Sequence, residues 1–115
     1  MFNFPIGRAA YVEKRRARRF RCKAEVSCRV FDPRGENPWP AWVANVSATG
    51  ICLLVQSRME PGRIVTLQLL SDVEARFQRL LAEVRHAAIC CPNNAWLHGL
   101  AFVRHLRDTE LRDLI

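Results

Sequence analysis

Between residues 20 and 31 the chain alternates. Cys22, Ala24, Val26, Cys28 and Val30 fall on one side, and Lys23, Glu25, Ser27 and Arg29 on the other. A period of two is that of a half-buried strand, because successive side chains of a strand point to opposite faces. Residues 32–40 collect Pro, Gly, Asn and Asp and predict a loop. Residues 41–46 and 51–55 read as a second and a third strand, joined by the tight connection Ser47-Ala48-Thr49-Gly50. Pro61-Gly62 suits the two central positions of a type II turn, where glycine takes the positive φ. A fourth strand over 63–70 follows, with Val65, Leu67 and Leu69 on one face.

Residues 72–76 predict a turn. The segment 77–89 is ambiguous, since Leu80, Leu81, Val84, Ala87 and Ala88 also fit a helix; the strands around it favour one long strand. Pro92-Asn93-Asn94 predicts a turn, and 95–103 a sixth strand with Trp96, Leu100 and Phe102 in phase. At the end the period changes. Asp108 has the chemistry of a helix N-cap, and Leu111, Leu114 and Ile115 follow at helical spacing. Short strands with turn signals and one terminal helix predict a mainly β fold, a small six-stranded antiparallel β-barrel. The expected division is a flexible basic N-terminal arm over 1–19 and a barrel with its C-terminal helix over 20–115.

Composition narrows the class. With 115 residues, half of them apolar, the chain suits a single domain with a real core. It has no run of about 18 apolar residues, the length that spans a bilayer. Residues 1–10 carry their first basic residue at Arg8 and lack a long apolar stretch, so they do not read as a secretory signal. Five cysteines, Cys22, Cys28, Cys52, Cys90 and Cys91, form an odd set with no Cys-x-x-Cys pair. They read as reduced thiols acting as small apolar residues, and a cytoplasmic location is expected. His86, His98 and His105 have no partner at ligand spacing, so no metal is expected. No nucleophile–base–orienter set is visible, and the chain is not expected to be an enzyme.

The net charge of +7 sits in one place. Residues 8–23 hold Arg8, Lys14, Arg15, Arg16, Arg18, Arg19, Arg21 and Lys23 against the single acid Glu13, which already gives +7; the remainder is balanced. Such a cluster attracts a phosphate-bearing partner. Arginine forks match phosphate oxygens and the O6/N7 edge of guanine, and their planes stack on purines. On composition alone, a solvated basic tail explains the cluster equally well. A second candidate is Asn45-Val46-Ser47-Ala48-Thr49-Gly50, where Asn45 and Ser47, two apart on a strand, share a face. An asparagine amide offers a base edge both donor and acceptor, and Gly50 lets a ligand approach the backbone. By itself this hexapeptide reads more readily as a turn. Trp39, Trp42 and Trp96 read as core or rim packing, with a stacking platform the alternative for Trp42.

Taken together, the two features resemble the PilZ domain family over nearly the whole chain. That family carries Arg-x-x-x-Arg just before the first barrel strand, matched by Arg15-Arg16-Ala17-Arg18-Arg19. It carries Asp/Asn-x-Ser-x-x-Gly about two strands later, matched by Asn45-Val46-Ser47-Ala48-Thr49-Gly50. Leu97-His98-Gly99-Leu100-Ala101-Phe102-Val103 is similar to its last strand. Two positions depart: Thr49 stands where a glycine is often found, and Arg16 and Arg18 crowd the first motif. The resemblance implies a receptor for cyclic di-GMP, with Arg15, Arg16 and Arg19 on phosphates and guanine edges. It also implies that Asn45 and Ser47 contact a guanine, that Gly50 keeps the surface open, and that Lys14 and Arg18 are additional contacts. Lys14, just before the motif, leans toward a ligand dimer. On this reading the bound nucleotide orders the arm, and an unidentified effector protein reads the changed surface. Two rivals remain: a degenerate family member that only docks with proteins, and a nucleic-acid module using the arm. The neutral barrel beyond residue 23 disfavours the second, since nucleic-acid binders spread their charge along a groove.

Overall fold

The computed structural model describes residues 18–32, 34, 38–71, 76–90 and 94–115. Lys14, Arg15, Arg16, the expected flexibility of most of the arm, Cys91, and parts of the loops expected at 32–40, 72–76 and 92–94 lie outside the described residues. Six strands, β1 (Val26–Phe31), β2 (Trp39–Val46), β3 (Gly50–Val55), β4 (Ile64–Ser71), β5 (Arg76–Cys90) and β6 (Ala95–Phe102), precede one short helix, α1 (Asp108–Arg112). All neighbours are antiparallel, and the order β1-β2-β3-β6-β5-β4 closes on itself through β4 and β1. Closure pairs each strand with two neighbours, β1 and β2 over the short stretch Cys28–Val30 against Trp39–Ala41. The mainly β barrel with a terminal helix that the alternation predicts is therefore the fold.

Alternation decides which residues fill it. Val30, Val46, Leu53, Val55, Val65, Leu67, Ala82 and Val84 have no exposed surface, and Ile51 and Leu69 almost none. Leu106 and Leu114, on either side of α1, are buried in the same core. Residues 76–90 form one 15-residue strand, so the apolar spacing that also fitted a helix belongs to a strand with a register shift between Val84 and His86. At Gly62 φ is +93°, and the Arg63 N–H donates to the Glu60 carbonyl, giving the turn expected of Pro61-Gly62.

Two expectations are corrected. The first strand begins at Val26, not at residue 20. The Val26 N–H donates back to the Lys23 carbonyl, which turns the chain at Ala24 and Glu25 and ends the alternating segment there as a strand. Phe20 instead forms an isolated bridge to Val46. At the helix, the N-cap is Arg107, and Asp108 is the first helical residue. Glu110 performs the capping, its carboxylate accepting from the Arg107 N–H at 2.8 Å, while Asp108 favours the first turn by its charge alone. No helix among the described residues is long and apolar enough to cross a membrane.

Candidate functional site

The end of the basic arm is stitched to the barrel beside β2. Phe20 exchanges two backbone hydrogen bonds with Val46, at 2.7 and 2.8 Å. This places Arg19 next to Asn45, and the Arg19 Nη1 donates to Asn45 Oδ1 at 2.7 Å. The same nitrogen lies 3.8 Å from the Cys52 sulfur on β3, which the register sets opposite Asn45. Two residues 26 apart in sequence, one from each motif, thus meet on the outer wall of the barrel. A guanidinium carries five N–H donors. Among the described residues, Nε and Nη2 of Arg19 make no hydrogen bond, so most of the fork faces outward from an exposed side chain. Arg18, also exposed, lies over the Phe20 ring with its guanidinium carbon 5.5 Å from the centroid.

Ser47 serves the turn itself. It is buried, and its hydroxyl oxygen accepts the N–H groups of Thr49 at 3.2 Å and Gly50 at 3.1 Å, while its own N–H donates to the Gly50 carbonyl at 2.8 Å. The turn is then pinned from outside: the Thr49 carbonyl accepts from Phe102, and the Ala48 carbonyl from Leu106. Serine at this position is one that nothing apolar of similar size replaces, because two N–H groups of the turn, the one of Gly50 buried, would lose their acceptor. Gly50 is required for a related reason. A Cβ there would stand 2.5 Å from the Leu100 carbonyl oxygen on β6. The open surface expected at this glycine is instead a close approach between strands. The hexapeptide is therefore a tight turn that holds Asn45 at its entrance.

Across the barrel wall the row continues from Asn45 to Cys52, then Gly99 on β6 and His86 on β5. Gly99 is covered by the His86 ring, into which a Cβ at this position would run. Sequence reasoning missed this pairing; an exposed histidine opposite a strand glycine has no periodic signature. It also missed that His98 is wholly buried: its Nε2 accepts from the Met59 N–H at 2.9 Å, so the imidazole is held as an acceptor. Burial pushes its pKa below the ordinary value, Arg58 and His86 push the same way, and the Trp96 backbone offsets part of it. The described cysteines, Cys22, Cys28, Cys52 and Cys90, are free thiols. No group of three metal-ligating side chains occurs among the described residues.

The PilZ domain family profile matches residues 13–115. Among solved structures the chain is similar to the inhibitor of motility MotI/DgrA of Bacillus subtilis, with 16% identity and a TM-score of 0.66, covering 90% of this chain and 48% of that one. It is also similar to MrkH of K. pneumonia, solved as a complex with c-di-GMP, with 17% identity and a TM-score of 0.63, covering 89% and 48%. The chain spans about half the length of either. No curated protein matches significantly.

Proposed function

The chain belongs to the PilZ domain family, and from that premise we propose that it is a receptor for cyclic di-GMP. One observation carries the reading beyond family membership: the hydrogen bond from Arg19 to Asn45 joins the two motifs into a single patch. A guanidinium already oriented by an amide loses less side-chain entropy when it meets an anion than one that is free. Its remaining donors suit a phosphate or the O6/N7 edge of guanine, and the Asn45 amide nitrogen, which makes no hydrogen bond among the described residues, suits a base edge. Arg15 and Arg16, with Lys14 and Arg18, close on the ligand from the arm. Ser47 and Gly50 contribute by building the turn that holds Asn45. MrkH, of related fold, is solved as a complex with this nucleotide. The function is binding, and the signal is the arm settling on the barrel, a surface change read by an effector protein. Free thiols on the barrel fit the reducing cytoplasm, where the proposed receptor would work.

Calorimetric titration with cyclic di-GMP, GTP and cyclic AMP tests this. Cyclic di-GMP is expected to bind far more tightly than the other two, because only it presents two guanine edges and two phosphates at once. Equal binding of all three would mark a generic anion patch, and the receptor reading would be abandoned.

A further inference from the structure

Building on the receptor reading, we propose that a cavity between β1 and β2 is the subsite for one purine base of the ligand, stacked on Trp42. The two strands are paired only from Cys28 to Val30 against Trp39 to Ala41. Yet β1 stays paired with β4 back to Val26, and β2 with β3 on to Val46. The wall therefore splits toward the end that carries Arg19 and Asn45. The split opens a half-enclosed cavity of about 550 Å³, whose lining includes Lys23, Ser27, Arg29, Trp42 and Val43. That volume falls within the range of small-molecule sites, about 300–1,000 Å³. The lining includes two cations and no carboxylate, which favours an electron-rich, anionic guest.

Trp42 sets the class of guest. It leaves 56% of its surface exposed at the cavity wall, a large flat ring within reach of a guest. Aromatic rings in such places stack on bases. The cavity also neighbours the patch, since its lining residues Cys22 and Val43 lie within three residues of Arg19 and Asn45. The register shift between Val43 and Asn45 sets Trp42 and Asn45 opposite Leu54 and Cys52, two residues apart on β3 and so on one face of the wall, about 7 Å from each other along the strand. A cyclic dinucleotide gripped by its phosphate at Arg19 has a base to place at that distance.

The test is titration of the full chain with cyclic di-GMP, following heat and tryptophan fluorescence, for wild type, Trp42→Ala, Trp42→Phe and His86→Ala. Because Trp42 is exposed, thermal melts of both Trp42 variants should match wild type. Trp42→Ala is expected to weaken binding about tenfold or more, the typical loss when a stacked base loses its platform. Trp42→Phe, which keeps a ring, should recover most of it while abolishing the ligand-induced quenching. Wild-type affinity in Trp42→Ala overturns the subsite and leaves the receptor reading standing. So does a loss confined to His86→Ala, which would lay the ligand over β3 and β6. No binding by the wild-type chain overturns both.

Discussion

Arg19 donates to Asn45 at 2.7 Å, a bond that ties the last residue of the basic motif to the first residue of the turn motif. Each side chain therefore positions the other. Charge-assisted hydrogen bonds contribute roughly 1.5–3 kcal/mol, so Arg19→Ala should weaken cyclic di-GMP binding by on the order of ten- to a hundredfold. Asn45→Ala should weaken it less. The double variant should lose less than the sum, because each single change already frees its partner. Arg112→Ala, on the exposed face of α1, should leave binding unchanged. A calorimetric double-mutant cycle measures all four; strict additivity would mean the pair does not act as a unit.

Ser47 and Gly50 should report on the fold before the ligand. Ser47→Ala removes the acceptor of the buried Gly50 N–H and of the half-buried Thr49 N–H and is expected to cost about 1–3 kcal/mol in urea unfolding. Gly50→Ala forces a methyl against the Leu100 carbonyl and should cost a similar amount, about 1–3 kcal/mol, through overpacking. Both losses should persist without nucleotide. A Gly50→Ala protein of wild-type stability would show that β3 and β6 can separate at that point without cost.

Much of the barrel was legible because alternation and burial are the same fact seen in sequence and in space. Val65, Leu67 and Leu69 lie inside, as their spacing requires. The pattern misled at residues 20–25, where period two persists although the Lys23–Val26 hydrogen bond turns the chain. Alternation records which faces are wet and dry, and a turn over the barrel's end also has both. Asp108 misled in another way. Its side-chain chemistry suits a cap, but the N-cap is Arg107, one residue earlier, and the capping carboxylate comes from Glu110, which accepts from the Arg107 N–H. At the site, Arg19 and Asn45 were readable from motif spacing. The buried hydroxyl of Ser47 was not, because serine at a turn entrance can face water or the turn. Trp42 was ambiguous for want of any long-range signal that β1 and β2 part beside it.

One base, His98, and one acid, Glu110, give the protein distinct pH limits. The folded pKa of His98 lies below the ordinary 6.5, so within that interval the unfolded chain binds more protons and stability rises with pH. The contribution is complete above about 6.5 and is lost as the pH falls below it. Glu110 behaves as a paired acid: the Arg104 side chain and the Arg107 N–H hold its pKa down to about 2, from 4.5. Its contribution is present above 4.5 and is lost as the pH falls toward 2. Urea unfolding between pH 7.5 and 3 should therefore show two declines. His98→Gln, which can still accept from the Met59 N–H, should flatten the upper one, and Arg104→Ala the lower. An upper decline that survives in His98→Gln would assign it to another group.

Thiol chemistry separates the buried from the ligand-facing cysteines. Cys28 lies in the core, and burial pushes its pKa up to about 12, with Cys22 nearby adding to the shift. The thiolate is the nucleophile in alkylation, so Cys28 should resist iodoacetamide in the native state at neutral pH and react only on unfolding. Cys52 differs in place: it is half-buried, on the outer wall, 3.8 Å from the Arg19 guanidinium. A nucleotide bound at Arg19 and Asn45 would cover this sulfur. Native alkylation mapped by mass spectrometry should thus find Cys52 labelled in the free protein and shielded at saturating cyclic di-GMP. Cys90, at the far end of β5, should label equally in both states. Arg19→Ala should abolish the shielding at the same nucleotide concentration, since the nucleotide would no longer be held there. Shielding of Cys90 together with Cys52 would mean a general tightening of the barrel, and shielding of neither would move the ligand away from the Arg19–Asn45 patch.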